Sequence, residues 1–176
     1  MNIVIRSERT SDIPAVRRVH LMSFPSEAEA NLVDRLREQG KAVVALVAEA
    51  EHGAVVGHVL FSPVHFEHPT GRGNYVGLAP IAVLPEFRNQ GIGTQLVREG
   101  LDQCGRFGYH GVVVLGEPSF YSRCEFRPAS EVGLSCPFGG GDAFQVYVRV
   151  PRSYPRDGAI VHYDEEFNQL DASPET

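Results

Sequence analysis

The stretch from Tyr75 to Arg106 constrains the fold more than any other. An apolar run at residues 75–83 ends in Leu84-Pro85-Glu86-Phe87, and Arg88-Asn89-Gln90-Gly91-Ile92-Gly93-Thr94 then leads into an amphipathic segment. Ile92, Leu96, Val97, Leu101 and Cys104 recur there at helical spacing, which predicts a helix over 93–106. A strand that turns directly into a helix across two glycines is a βα unit, and such a unit belongs to a sheet covered by helices. Pro80 lies inside the strand. Proline donates no ladder hydrogen bond, so it marks an edge, a bulge or a site where pairing is broken.

The same loop carries chemistry. The first turn of a helix leaves backbone N–H groups without intrahelical partners, and together with the helix dipole they favour an anion. Glycine lets the chain approach a phosphate closely, and Arg88 adds positive charge nearby. This is the composition of a pyrophosphate cradle. Taken alone, Gly91 and Gly93 also suit a plain tight turn. A P-loop nucleotidase would need a Gly-Lys-Ser/Thr run, and none is present; a dinucleotide fingerprint would need a third glycine where Leu96 stands.

Around this unit, residues 3–6 read as a short strand and Asp12 as a helix cap before Ile13, Val16, Val19, His20 and Phe24. Ser26 and Glu29 have the spacing of a capping box for a second helix carrying Leu32, Val33 and Leu36, which Gly40 ends. Residues 43–48 and 54–64 form a hairpin through Glu51-His52-Gly53, and residues 67–74 a loop. A buried strand at 112–115, a helical turn at 118–123, a glycine-rich loop at 136–142 and an alternating strand at 144–150 complete the order β-α-α-β-β-β-α-β-α-β. The fold class is mixed α/β. With 176 residues, no repeat and no linker, the expectation is one domain over residues 1–165 and a flexible tail over 166–176.

The formal net charge of −6 argues against general nucleic-acid binding, which needs a positive field. No run reaches the roughly 18 apolar residues of a membrane span, and the first ten residues lack the pattern of a signal peptide. The three cysteines, Cys104, Cys124 and Cys136, form no Cys-x-x-Cys pair and fit a reducing cytoplasm. His65, Glu67 and His68 lack a third ligand of clear spacing, so no metal is expected. Cys124 reads as a filler thiol, since nothing local marks it as a thiolate.

Arg-x-x-Gly-x-Gly between a strand and a helix resembles the signature of the GCN5-related N-acetyltransferases (GNAT). Phe120-Tyr121-Ser122-Arg123-Cys124-Glu125-Phe126 is similar to the Tyr-x-x-x-Gly-Phe element that follows the fifth strand in that family. The order of elements matches from Ile3 to about Val150. Residues 28–33, 115–123 and 143–146 look like one bacterial subgroup. The sequence departs at Glu125, where the family usually has glycine and a left-handed turn.

The resemblance implies a GNAT-like fold, a central, mostly antiparallel, splayed sheet flanked by helices, with acetyl-CoA as co-substrate. It carries the pantetheine-pairing positions to Ile81, Ala82 and Val83, and the pyrophosphate positions to Arg88, Asn89, Gln90, Gly91, Ile92, Gly93 and Thr94. The amine of a small molecule or peptide would attack the thioester directly, with the Val83 N–H a candidate oxyanion donor. Tyr121 is the implied proton donor to the thiolate. Tyrosine titrates near 10 and a thiol near 8.5, so complete transfer would be uphill by roughly 2 kcal/mol; Tyr121 then stabilises sulfur charge through a hydrogen bond. The base is open between Glu29, Glu117, His58 and a water chain, with Glu29 also read as a cap or an acceptor contact. A non-catalytic acyl-CoA sensor is the alternative function, and a nucleotide-binding phosphate loop a third reading. The acceptor is expected to bind around residues 24–36 and 135–142, and the resemblance leaves a homodimer open.

Overall fold

Antiparallel hairpins at the amino-terminal side of the chain set up the surface on which the glycine loop is built. A computed structural model of the protein describes residues 2–67, 73–151 and 158–170. Its strands are β1 (Val4–Ser7), β2 (Val44–Glu49), β3 (Val55–Glu67), β4 (Tyr75–Val83), β5 (Gly111–Leu115), β6 (Arg127–Pro128), β7 (Phe144–Val148) and β8 (Ile160–Tyr163). Its helices are α1 (Ile13–Ser23), α2 (Ala28–Glu38), α3 (Ile92–Arg106) and the single turn α4 (Pro118–Tyr121). The class is mixed α/β with an open mixed sheet, as the sequence implies. The residues group into two compact units, and β3, β4 and α3 contribute to both.

The first unit holds residues 1–62, 79–100 and 165–176. β1 pairs with β2 from Val4↔Glu49 to Ser7↔Leu46, and β2 pairs with β3 from Val44↔Phe61 to Glu49↔Val55, both antiparallel. The end of β4 joins this ladder: Leu84 N–H donates to the Val56 carbonyl at 2.9 Å. Alternate residues of a strand face opposite sides. A Cβ on Gly57 would lie 3.1 Å from Leu96 of α3, whereas the adjacent His58 meets His20 of α1. α3 and α1 therefore cover opposite faces of β3. Gly100 is required for that packing, because a Cβ there would sit 2.3 Å from the Phe61 ring.

Three local expectations change in this unit. Asp12 does not cap α1 through its side chain; it accepts from the Arg9 N–H at 2.7 Å and from the Arg6 guanidinium at 2.7 and 3.0 Å. The Ser26–Glu29 capping box does not form. Glu27 is the residue before α2, Ser26 Oγ accepts from Ala28 N–H at 3.2 Å, and Glu29 lies inside the first turn. The tail was expected to begin at 166, yet Glu165–Gln169 is a 3-10 turn with Phe167 buried and Glu166 paired to Lys41 at 2.9 Å. Apolar burial and an ion pair hold it; residues 171–176 lie outside the described residues.

The second unit holds residues 63–78 and 101–164. β4 runs parallel to β5 for three register positions, Tyr75↔Gly111, Val76↔Val112 and Gly77↔Val113. β5 continues antiparallel to β7 as far as Leu115↔Phe144, and β6 pairs with β7. β8, unforeseen in the sequence because four residues are too few to show a clear alternation even though Ile160, Val161 and Tyr163 favour a strand, pairs antiparallel with the end of β3. Val64, Tyr75, Val113, Leu134, Phe144, Val146 and Val161 form one apolar core.

Candidate active site

The loop after β4 is built in the first unit. Pro85–Phe87 is a 3-10 turn, Arg88 is extended, and the chain then reverses through two positive φ angles, 60° at Asn89 and 80° at Gly91. Gly91 suits the second, because a side chain there would be strained. Gln95 N–H donates to Gly91 O at 3.0 Å, so Gly91 stands immediately before α3. The amides of Ile92, Gly93 and Thr94 thus belong to the first turn, where no intrahelical acceptor is available. Beside Gly91 the nearest atom to an added Cβ would be 4.0 Å away, which leaves open space at the helix entrance. Ile92 is buried and anchors the turn, while Arg88, Asn89, Gln90 and Gly91 are exposed. Gln90 holds the turn by donating to Glu86 O at 3.2 Å.

Arg88 is not extended over the helix entrance. Its Nε donates to Val83 O at 3.1 Å and its Nη2 to Ser23 O at 3.2 Å. Ser23 Oγ also donates to Val83 O at 3.2 Å, tying the end of α1 to the end of β4. Sequence reasoning missed Ser23, since nothing local links it to a strand sixty residues later. Ile81 and Val83 are half-buried, and Ala82 is buried. The Ala79–Pro80 peptide is cis within β4.

Among the sequence candidates for a base, His58 is wholly buried, 2.9 Å from His20 and 3.0 Å from Glu8. Burial holds its imidazole below the ordinary range, outweighing Glu8, which pulls it up. Glu29 keeps one carboxylate oxygen, Oε2, buried without a hydrogen-bond partner among the described residues. Glu117, in the second unit, is exposed and accepts from Ser119 N–H at 3.3 Å as the cap of α4.

Tyr121, also in the second unit, is buried at the end of α4. Its ring meets Phe120 edge-on at 4.8 Å and Phe126 at 5.4 Å, and lies over Gly116, where a Cβ would come within 2.5 Å. Burial, with Cys124 beside it, pushes the phenol well above the usual tyrosine range. Glu125 takes the left-handed conformation that the family's glycine would take, φ 65° and ψ 17°. The Phe126 N–H then closes the turn on Tyr121 O at 3.3 Å.

The acidic and imidazole groups near β8 are spent on each other. His65 meets Asp164 at 2.8 Å and His162 meets Glu67 at 2.9 Å. Among the described residues no group of three or more His, Cys, Asp or Glu is placed to hold a metal; His68 lies outside them.

A strand, a glycine turn and a helix entrance with free amides, followed by a tyrosine turn, match a known pattern. The profile of the Acetyltransferase (GNAT) family covers residues 13–126. The chain belongs to the GNAT family. It is 41% identical over 169 residues to the uncharacterized N-acetyltransferase YhbS of Escherichia coli K12, covering 96% of this chain and all of that one. The crystal structure of Escherichia coli YhbS in complex with CoA superposes with a TM-score of 0.88 over 96% of this chain and 93% of that one. A GNAT acetyltransferase from Brucella melitensis, in complex with acetyl-CoA, is 32% identical with a TM-score of 0.76, over 94% and 98% of the two chains.

Proposed function

We propose that this GNAT protein transfers an acetyl group from acetyl-CoA to a primary amine by direct attack. The nitrogen forms a bond to the thioester carbon, the carbon–sulfur bond breaks, the nitrogen gives up a proton and the departing thiolate takes one. The observation that carries this reading is the set of free first-turn amides of α3 behind the positive φ of Gly91. Ile92, Gly93 and Thr94 would receive the pyrophosphate, with Asn89, Gln90 and Gly91 framing it and Arg88 swinging from Val83 O to add charge. The backbone of Ile81, Ala82 and Val83 would pair with the pantetheine arm, and Val83 N–H would serve the oxyanion.

Tyr121 would hydrogen-bond the sulfur as its charge develops. Its raised phenol pKa favours a neutral donor over complete proton transfer. Complexes of the Escherichia coli and Brucella relatives with CoA and acetyl-CoA support the choice of co-substrate.

Calorimetry with acetyl-CoA, followed by thiol release in the presence of primary amines, tests the reading. Binding with amine-dependent release is expected. Binding without release across a broad amine set would replace the enzyme by an acyl-CoA sensor, and no binding would remove both.

A further inference from the structure

Four side chains of the first unit form a continuous line: Arg37, Glu8, His58 and His20. Arg37 donates from Nε and Nη2 to the two oxygens of Glu8, each at 3.0 Å. Glu8 Oε2 lies 3.0 Å from His58 Nε2, and His58 Nδ1 lies 2.9 Å from His20 Nε2. Both histidines are wholly buried.

The protons on this line are not free to choose. Burial pushes the Glu8 carboxyl up, but His58 and Arg37 outweigh it and hold it below the usual range, so it is ionised. An ionised carboxylate only accepts. His58 Nε2 lies 3.0 Å from its oxygen but off the hydrogen-bond direction; a bare lone pair that close to a carboxylate would still be repelled, so His58 carries its proton on Nε2. Buried and neutral, His58 has one ring proton, which leaves Nδ1 bare. That nitrogen can only accept, so His20 must donate from Nε2. His20 is neutral as well, because burial and then His58 lower it to about 3. Its single proton is therefore committed, and Nδ1 is left as a bare lone pair.

That lone pair is buried and has no partner among the described residues. A buried acceptor left unsatisfied is destabilising, and such an atom beside a candidate site points to a donor that arrives with a ligand. Its place supports this. Ser23, three residues after His20, is bonded to Val83 O, and His58 stands on β3, which neighbours β4 in the sheet and whose Val56 carbonyl takes the Leu84 N–H just past β4. The two histidines thus lie alongside Ala82 and Val83, the backbone assigned above to the pantetheine arm.

We propose that His20 Nδ1 accepts a hydrogen bond from the nitrogen of the acceptor amine, with Glu8 and His58 as positioning residues that keep this lone pair bare. The proposal rests on the acyltransferase reading. Phe24, just past the end of α1, stacks on the face of the His20 ring at 6.0 Å and so fixes the ring plane, in which the Nδ1 lone pair lies. His20 is not the base. An imidazole held at about 3 cannot strip an alkylammonium titrating near about 10.4. It takes an N–H of an amine that is already neutral and turns the nitrogen lone pair toward the thioester. The acceptor class is accordingly a primary or secondary amine that enters unprotonated; a tertiary amine has no N–H to give.

Ring-nitrogen NMR of the full-length protein saturated with CoA tests this directly. At pH 9, both His20 and His58 are expected to carry the proton on Nε2. The His20 Nδ1 signal is expected to move toward its hydrogen-bonded position on addition of benzylamine, n-butylamine or lysine amide. A proton on His20 Nδ1, or a signal unmoved by all three amines, overturns the proposal. In thiol release, His20→Phe is expected to lower kcat/KM for the amine at least tenfold with acetyl-CoA affinity unchanged. Glu8→Gln, which can donate as well as accept, is expected to do the same while releasing the tautomer of both rings, a change that mere loss of packing would not produce. Wild-type kcat/KM in Glu8→Gln with an altered tautomer also overturns the proposal. Absence of acetyl-CoA binding would sink the acyltransferase reading instead, and calorimetry separates that failure from this one.

Discussion

Arg88 donates from Nε to the Val83 carbonyl at 3.1 Å, the same oxygen that takes the Ser23 hydroxyl at 3.2 Å. A carbonyl oxygen has two lone pairs, and these two donors occupy both. A pantetheine amide can pair with Val83 O only if one of them leaves, and Arg88 is the one with a better alternative. A bond from the guanidinium to a charged phosphate is worth about 1.5–3 kcal/mol and exceeds its bond to an uncharged carbonyl, because both partners then carry charge. Arg88→Met is therefore expected to weaken acetyl-CoA binding by roughly tenfold to a hundredfold, even though it frees the carbonyl. Calorimetry at two salt concentrations checks this: the variant is expected to show a shallower salt dependence than the wild type. Equal or tighter binding in the variant would mean that Arg88 does not reach the phosphates.

Tyr121→Phe removes one oxygen from a packed aromatic cluster and leaves the contacts with Phe120, Phe126 and Gly116 in place. Turnover is expected to fall by one to two orders of magnitude, about the worth of one hydrogen bond to developing charge, with acetyl-CoA affinity nearly unchanged. Because burial raises the phenol, wild-type activity is also expected to show no loss from tyrosine ionisation near pH 10. Full turnover in the Phe variant would remove Tyr121 from the chemistry.

The glycine loop and the tyrosine turn were legible because each is local: their signals lie within a few residues, and the structure forms β4 over the same residues that the sequence assigns to it. Glu125 was legible as a problem, and its left-handed φ is the way the chain resolves it. The network around His20 was not legible. Helical spacing places His20 on the buried face of α1, but its partner His58 is 38 residues away, and neither sequence segment announces the other. Arg88 was legible as a charge and not as a donor to Val83, since side-chain direction at an extended residue is decided by the neighbouring α1. β8 and the turn at Glu165–Gln169 were missed because both are short and are held by long-range partners, β8 by the end of β3 and Glu166 by Lys41.

The buried histidines make stability depend on pH. Both titrate below their ordinary value in the folded protein, His20 at about 3 and His58 in the same direction, while the unfolded chain takes up protons near 6.5. Below that value the unfolded state binds more protons, so stability rises with pH and is lost as the solution is acidified from about 6.5 toward about 3. Each histidine contributes a slope of up to about 1.4 kcal/mol per pH unit in that window. Urea unfolding at pH 7, 6 and 5 checks it. His20→Phe is expected to be the less steep of the two proteins, and a wild-type stability that is flat from pH 7 to 5 would contradict neutral buried rings.

Glu125 supplies the last prediction. An L-residue in the left-handed region costs about 1–2 kcal/mol relative to the right-handed one, and Glu125 sits there at φ 65° with its side chain exposed. Glycine removes that strain but adds freedom to the unfolded chain, worth about 0.5–1 kcal/mol. The two terms leave Glu125→Gly more stable by about 0–1.5 kcal/mol, which for a chain of this size raises Tm by up to about 6 °C. The backbone that holds Tyr121 is unchanged, because the Phe126 N–H still reaches Tyr121 O from the same turn. A drop in Tm would show instead that the glutamate side chain makes up for its own backbone strain, and scanning calorimetry of the two proteins decides between these outcomes.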